Sequence, residues 1–493
     1  MRELKRKRKL SALSAGSAAT FILCYLLLLA VIFVTIVCNS PDGWLQFINE
    51  NLSGIISLIV CTFLLCSIVY YYYWFEDREF ILHAKNVFLV FFILIVEVAI
   101  CYVMGRFVSI YARPFALIAI MCLFLFNRRQ AILLNFVFAL MMFVIDTYTN
   151  YVVDGVATNA MYYSLMLAFV CGTLSVFVAG GIKTRVGLIG AGFIVSIPTA
   201  AIILLLELPD LTAIGTASFF ISMAYGVAGC MSSAVLALAI LPLLEWMFNR
   251  LTVFRLRELT RTDVPILMRL KKEAPGTFNH SLIVAQLSET CALALGENAE
   301  LARACAYYHD VGKLKQPECF TENQKDYNIH DELTPELSAD IIRSHARDGY
   351  DLLIASRMPQ IFADVALEHH GTLPIKYFYA KAMKLSGGDV NRKDYSYLGP
   401  TPHTKIAAIV MVADSAEAAV RSLKERTPEN VEKVVRSIIE ERLDLDQFVD
   451  CDITMRELTT IKETLVAALS GVHHHRVEYP AMRLHRGGET HEE

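Results

Sequence analysis

A series of long apolar segments in the first half of the chain constrains the fold more than any other feature. A helix needs about 20 mainly apolar residues to cross a bilayer. The composition agrees with a membrane protein, because 55% of the 493 residues are hydrophobic and the mean hydropathy is +0.45. We predict eight spanning helices, at residues 18–38, 53–74, 86–104, 114–126, 131–150, 160–182, 186–206 and 213–248.

Basic residues are distributed unevenly between the loops that join these segments. The loops at 39–52, 151–159 and 207–212 contain no lysine or arginine, whereas the loops of the other side carry several. Only the turn with Arg106 and Arg113 departs from this pattern. Because basic loops remain in the cytoplasm, we expect both ends of the membrane region, and the soluble half that follows it, to be cytoplasmic.

The basic N-terminus and the cysteines indicate which partners and which compartment to expect. Residues 1–9 are strongly basic and directly precede an apolar segment, which favours a membrane flank over a nucleic-acid patch. We therefore expect the lipid bilayer as a partner and no DNA or RNA. No Cys-x-x-Cys pair occurs among the 12 cysteines, which indicates free thiols in a reducing compartment.

The hydropathy divides the chain into a membrane half and a soluble half large enough to bury its own core. Apolar residues of the soluble half recur at helical spacing, so the expected fold class is all-α: a polytopic helical membrane domain followed by an all-helical domain. We expect the last membrane helix to continue from about Ala234 to Arg261. The predicted domains are a basic cytoplasmic tail at 1–17, a first transmembrane helix at 18–38, a seven-helix transmembrane domain at 53–248, a helical linker at 249–265, a cytoplasmic domain at 266–475 and a polar tail at 476–493.

Two carboxylates, Glu97 and Asp146, lie within predicted spanning segments. An ionisable side chain in a bilayer is costly, which makes each a candidate for ligand binding or signalling. The alternative is a protonated or hydrogen-bonded packing residue, and the sequence leaves both readings open. We find no ordered transport motif and no internal repeat in the sequence, which argues against a transporter.

The soluble half contains histidines and aspartates in the order His…His-Asp-x-Gly-Lys…His…His-His…Asp. Their nitrogen and oxygen atoms suit iron, manganese, zinc or similar ions. A carboxylate such as Asp310 can bridge two ions, and Lys313, three residues later, can bind a phosphate oxygen on the same helical face. The candidate catalytic residues are Asp310 and Lys313, and the candidate metal ligands are His280, His309, Asp310, His345, His369, His370 and Asp414.

Glycines accompany two of these elements. The neighbours His369 and His370 do not share one helical face, so both reach one site only if the helix ends there, and Gly371 favours such an end. Gly312 is expected to leave room for a substrate near the backbone. A second His-Asp pair, His330-Asp331, is expected to lie in a loop outside the metal site.

The order of these elements resembles that of the HD-domain metal-dependent phosphohydrolases. More closely, the chain looks like the seven-transmembrane HD phosphodiesterases of the PgpH type. The resemblance covers about residues 53–480 and is most specific in the soluble part. It rests on the segments 274–281, 306–313, 322–324, 369–372, 376–379 and 407–421.

The resemblance implies a bacterial enzyme that hydrolyses cyclic di-AMP to linear pApA by a metal-activated hydroxide, in the cytoplasmic membrane with its HD domain in the cytoplasm. It also implies two divalent ions, manganese or iron. A homodimer and a regulatory partner in the membrane are further expectations. One ion is expected on His280, His309, Asp310 and Asp414, and the other on His345, His369 and His370, with Asp310 bridging the two.

The sequence departs from the resembled family in its first loop. Members carry a sizeable extracellular domain after the first helix, whereas here the connection is about residues 39–51. The alternatives to cyclic di-AMP hydrolysis are hydrolysis of another nucleotide, such as cyclic di-GMP, and nucleotide binding by a membrane receptor. Enzymes for cyclic di-GMP usually carry Gly-Tyr-Pro after the His-His pair, but here Gly371-Thr-Leu-Pro follows. A nucleotide-binding membrane receptor without activity is disfavoured, because the ligand set is complete.

Overall fold

The computed structural model describes residues 2–37, 52–148, 152–153, 156–157, 160–208, 214–324, 327–388 and 390–471. The chain divides into two compact units, Met1–Arg255 and Leu256–Glu493. The predicted loop 39–51 and polar tail 476–493 lie outside the described residues. The individual domain bounds remain predictions.

The described part of the first unit is almost entirely helical. Seven of its helices are long and apolar enough to cross a membrane, which confirms a multi-pass membrane protein with the bilayer as a partner. Its elements are α1 (Arg2–Val37), α2 (Leu52–Glu76), α3 (Arg78–Leu82), α4 (Ala84–Phe107), α5 (Leu117–Leu125), α6 (Arg128–Tyr148), β1 (Val152–Val153), β2 (Val156–Ala157), α7 (Ala160–Ala179), α8 (Gly187–Glu207) and α9 (Ala217–Phe248).

The fourth predicted spanning helix differs from the others. Instead of a regular helix at 114–126, the chain forms a 3₁₀ turn, Ile110–Ala112, and then the nine-residue α5. Nine residues of α-helix rise only about 14 Å, less than the apolar thickness of a bilayer. The prediction of a regular helix is therefore wrong here.

The segment nevertheless connects the two ends of the helix bundle. Before α5, Arg113 contacts Asp146 near the C-terminal end of α6. After α5, Phe126 packs with Phe80, which lies just before α4, and with the guanidinium of Arg250. The chain thus passes through the bundle with only part of the passage in helical form.

A buried ion pair accounts for the basic residue that departed from the loop pattern. Arg113 donates from Nη1 to Asp146 Oδ2 at 2.5 Å and from Nη2 to Oδ1 at 3.0 Å. Both side chains are 0% exposed, and Nη1 also lies 2.7 Å from Ser164 Oγ. Arg113 is therefore an internal partner of Asp146 rather than a loop charge, which supports the packing alternative for this carboxylate.

Glu97 in α4 is likewise buried, but it has a different environment. Its Oε1 accepts a hydrogen bond from the Cys101 thiol at 3.7 Å, whereas its Oε2 makes no hydrogen bond among the described residues. A functional role for Glu97 therefore remains a prediction.

The last membrane helix does not continue into the second unit as we expected. Helix α9 ends at Phe248, and Asn249 follows with φ of 49°, a left-handed conformation that closes a helix. The next helix, α10, spans Val253–Leu259. Buried Glu245 accepts hydrogen bonds from Thr252 at 2.5 Å and from Arg185 at 2.7 Å. The predicted continuous helix from Ala234 to Arg261 is therefore wrong, because the chain turns to satisfy this carboxylate.

The described part of the second unit is helical throughout, with a single isolated bridge between Pro374 and Ser396, which confirms the all-α expectation. Helix α17 (Lys405–Arg421) is buried at every position from Ile406 to Asp414 and therefore forms the centre of the unit. The other helices are α11 (Pro265–Glu273), α12 (Pro275–Leu295), α13 (Ala299–Tyr308), α14 (Pro335–Ala355), α15 (Gln360–Glu368), α16 (Lys376–Ser386), α18 (Pro428–Asp444) and α19 (Met455–Gly471).

Candidate metal centre

The fold brings all seven predicted metal ligands together, although 134 positions separate His280 from Asp414. They lie on or just after five helices of the second unit: α12, α13, α14, α15 and α17. Their ligand atoms form two groups in which all members lie within 4.8 Å of one another. One group is His280, His309 and Asp414, and the other is Asp310, His345, His369 and His370.

Asp310 lies between the two groups. Its Oδ1 is 3.3 Å from His345 Nε2 and 3.6 Å from His369 Nε2. Its Oδ2 is 3.3 Å from His309 Nε2 and 3.7 Å from His280 Nε2. A carboxylate that directs one oxygen toward each group has the arrangement needed to bridge two cations.

Backbone carbonyls orient three of the histidines. The Nδ1 atoms of His309, His345 and His369 lie 2.7, 2.5 and 2.9 Å from the carbonyl oxygens of the residues three positions earlier. A carbonyl can only accept, so each Nδ1 carries the proton. All three rings therefore present Nε2 to the centre, as preorganised metal ligands do.

The histidine doublet lies at a helix end, as predicted. Helix α15 ends at Glu368, and the Gly371 amide donates to the Glu368 carbonyl at 2.8 Å. His369 and His370 can therefore both turn toward the centre. The ring of Tyr397 stacks on His370, with centroids 4.2 Å apart and an interplanar angle of 25°.

The protonation of the centre follows from its buried charges. Burial alone would lower the pKa of His309, but the carboxylates of Asp310 and Asp414 raise it to about 10. Burial lowers the pKa of His369 to about 4. Burial opposes ionisation of Asp310, yet Lys313 and His309 hold its pKa well below the usual range. The anionic carboxylates thus attract positive charge to the centre.

Two buried atoms test whether these residues fit a metal. His309 Nε2 and Asp310 Oδ1 make no hydrogen bond among the described residues, although both are buried. Unsatisfied buried polar atoms are costly, and both of these are good ligand atoms for a divalent cation. The residues therefore fit a divalent metal site.

Lys313 lies at the same centre. Its ammonium contacts Asp310 Oδ2 at 2.7 Å and Glu322 Oε1 at 2.8 Å. Thr277 Oγ1 donates to the same Glu322 oxygen at 3.0 Å. Residues of both metal groups, Lys313, Glu322 and Arg421 line a cavity of about 510 Å³. Any ligand that enters this cavity meets residues of both metal groups and the cationic side chains of Lys313 and Arg421.

Sequence reasoning assigned no role to Glu417, which contacts His280, or to Arg421. The signal was available, because positions 414, 417 and 421 of one helix share a face. His330 and Asp331, by contrast, form a 3₁₀ turn, Ile329–Asp331, and His330 Nε2 lies 2.7 Å from the Cys319 carbonyl oxygen. This second His-Asp pair lies outside both metal groups, as predicted.

Gly312 has a different role from the one we expected. A Cβ atom there would lie 1.9 Å from the His345 carbonyl oxygen and 2.5 Å from the Gly349 nitrogen. The glycine therefore lets the His309–Lys313 segment approach helix α14, rather than a substrate.

We predict that Gly312→Ala separates the two metal groups, because neither contact atom is a flexible side chain. The affinity for Mn²⁺, measured by calorimetry, should fall by about tenfold or more, as it does when the support of metal ligands is lost. Gly190→Ala in helix α8 is the control, since nothing lies within 4 Å of its Cβ position. Unchanged Mn²⁺ affinity in Gly312→Ala would contradict the steric argument.

Comparison with known proteins finds a family model that matches each of the two units. A family model described as a 7TM receptor with intracellular HD hydrolase matches residues 52–252, and an HD-domain model matches residues 277–419. The chain is 38% identical over 449 residues to cyclic-di-AMP phosphodiesterase PgpH of Bacillus subtilis (strain 168), covering 88% of this chain and 61% of that protein. It is 40% identical over 325 residues to PgpH of Listeria monocytogenes serotype 1/2a (strain 10403S), covering 66% and 45%.

A solved structure is also similar to the second unit. The crystal structure of the L. monocytogenes PgpH HD domain in complex with cyclic-di-AMP shares 46% identity, covers 43% of this chain and 100% of that chain, and has a TM-score of 0.42. The chain spans about three fifths or less of the length of the two PgpH proteins it matches. With seven long apolar helices followed by a segment that matches the HD-domain model, the chain has the domain order of the 7TM receptors with an intracellular HD hydrolase.

Proposed function

We propose that this protein is a membrane-anchored, metal-dependent phosphodiesterase that hydrolyses cyclic di-AMP to linear pApA. The observation that carries the proposal is the position of Asp310, which directs one oxygen toward each group of histidines. The names of the two PgpH relatives support the substrate.

The proposed centre holds two divalent ions, manganese or iron, which the mixed nitrogen and oxygen ligands suit. When bound, such ions lower the pKa of water and neutralise charge on a phosphodiester. Asp310 would bridge the two positions. His280, His309 and Asp414 would complete one, and His345, His369 and His370 would complete the other.

The cavity supports a substrate with more than one phosphate. The ammonium of Lys313 lies beside Asp310, and the guanidinium of Arg421 lines the same cavity from α17. In the proposed reaction Lys313 binds an oxygen of the phosphate that is cleaved, and its charge stabilises the transition state. Arg421 supplies a second positive charge for the other phosphate of a cyclic dinucleotide.

The location of the enzyme is part of the proposal. We infer a bacterial cytoplasmic membrane, with the HD domain in the cytoplasm. The loop charges support this orientation, and the pairing of Arg113 with Asp146 removes one of the two exceptions to the pattern.

A membrane-impermeant thiol reagent should therefore leave Cys451, which is partly exposed, unlabelled in intact cells.

The test uses the full chain in detergent with Mn²⁺, and cyclic di-AMP and cyclic di-GMP as separate substrates. Chromatography should show pApA from the first and far less product from the second. Removal of metal with a chelator should abolish turnover, and Mn²⁺ should restore it. Preference for cyclic di-GMP would overturn the substrate, and binding of either nucleotide without any turnover would favour a receptor.

A further inference from the structure

His280 is oriented differently from the three histidines whose Nδ1 atoms contact carbonyl oxygens. Its Nδ1 lies 2.6 Å from the Oε2 atom of Glu417, and its Nε2 lies 2.9 Å from Asp414 Oδ1. An ionised carboxylate can only accept, so Nδ1 carries a proton toward Glu417. Nε2 faces Asp414 of the metal group, where a metal ion would take the place of the Nε2 proton. At His280 a carboxylate therefore takes the role that a backbone carbonyl has at the other three histidines.

Glu417 is held in place on its other side. It is 4% exposed, and its Oε1 accepts a hydrogen bond from Arg421 Nη1 at 3.2 Å. Asp414, Glu417 and Arg421 occupy one face of α17, because they are three and four residues apart. One helical face thus supplies a metal ligand, the partner that orients a second ligand, and a cation that fixes this partner.

We propose that Glu417 is a positioning residue that strengthens metal binding through His280. Its negative charge makes a stronger hydrogen bond than a neutral carbonyl does, and such a partner raises the basicity of the opposite ring nitrogen. The inference rests on the proposed metal-dependent function. It predicts that the His280, His309 and Asp414 group depends on the charged partner of His280, whereas His309, His345 and His369 rely on carbonyls.

The experiment titrates Mn²⁺ alone into the chelator-stripped full chain in detergent, by calorimetry, for wild type, Glu417→Ala and Glu417→Gln. Loss of the carboxylate should weaken one Mn²⁺ site about 10–100-fold in Glu417→Ala. Glutamine keeps an acceptor oxygen but no charge, so Glu417→Gln should lie between alanine and wild type. Glu289→Gln, on the same helix as His280 but in a partly exposed ion pair with Arg303, should bind Mn²⁺ as wild type does.

Kinetics distinguish positioning from a general structural effect. At saturating Mn²⁺, kcat of Glu417→Gln on cyclic di-AMP should recover to near the wild-type value. A kcat that excess metal does not restore would overturn the positioning role.

The metal titration also separates this inference from the proposed function, because it needs no substrate. Equal Mn²⁺ affinity in wild type and Glu417→Gln would overturn the inference even if the wild type hydrolyses cyclic di-AMP. Weakened Mn²⁺ binding would support it even if another nucleotide is the substrate. If circular dichroism shows that Glu417→Ala fails to fold, Glu417→Gln, with its matched volume, decides alone.

Discussion

Asp310→Asn should lower kcat on cyclic di-AMP by about 10³-fold, at the upper end of what a single electrostatic group contributes to catalysis. The amide retains the size of the carboxylate but has only one oxygen. It therefore cannot offer an anionic oxygen to both His309 and His345, as Asp310 does at 3.3 Å on either side. It also removes a charge that holds Lys313.

The measurement is product formation by chromatography, together with metal content per protein. Asp331→Asn is the matched control, because it changes the other His-Asp pair of the soluble half and lies outside both metal groups. Activity of Asp310→Asn within about tenfold of wild type, with both ions retained, would contradict the bridging assignment.

Arg113→Ala should destabilise the membrane unit by about 3–5 kcal/mol, because it leaves the Asp146 carboxylate buried without its partner. Both side chains are completely buried, and the pair makes two hydrogen bonds. The double variant Arg113→Met, Asp146→Leu should recover most of the loss, since it removes both charges together.

Thermal unfolding in detergent, followed by circular dichroism, measures this effect, and a fall in Tm of roughly 10 °C is expected. The matched control is Arg129→Ala, which breaks an ion pair with Glu76 whose side chains are 82% and 50% exposed. Such a pair contributes at most about 1 kcal/mol. Equal shifts for Arg113→Ala and Arg129→Ala would show that burial of the Arg113 pair is unimportant.

Buried charge has different consequences in the two units. In the second unit, two carboxylates, Asp310 and Asp414, lie among histidines, and the arrangement fits cations. In the first unit, Asp146 is neutralised internally by an arginine. An aspartate in a membrane segment is therefore not sufficient evidence of a functional site. The residues that contact its carboxylate show whether it is an internal ion pair or a binding site.

Local sequence signals were reliable where they reflected the chemistry of neighbouring residues. Gly371 indicated that the helix ends at the histidine doublet, and the chain ends that helix at Glu368. The pair Thr334-Pro335 is likewise typical of a helix start, and α14 begins there, with Thr334 Oγ1 accepting from the Leu337 amide. Both signals act within one helical turn, so no distant residue is needed to interpret them.

Predictions about features that depend on contacts with distant residues were wrong. Gly312 was expected to make room for a substrate, but the backbone of α14 occupies that space. Helix α9 was expected to continue past Asn249, but Glu245 is satisfied by Thr252 and Arg185 instead. In each case the structure depends on a contact with a residue whose position cannot be predicted from hydropathy or spacing.

The class of structure and the class of chemistry follow from residue types alone: long apolar segments require helices in a bilayer, and the histidines and aspartates favour a divalent metal. Which atoms meet depends on the packing of the helices. This packing places Asp310 between two groups, Glu417 behind His280 and Arg113 on Asp146. The reason is that residue type and periodicity act locally, whereas the partner of a buried charge is chosen by the packing of helices distant in the chain.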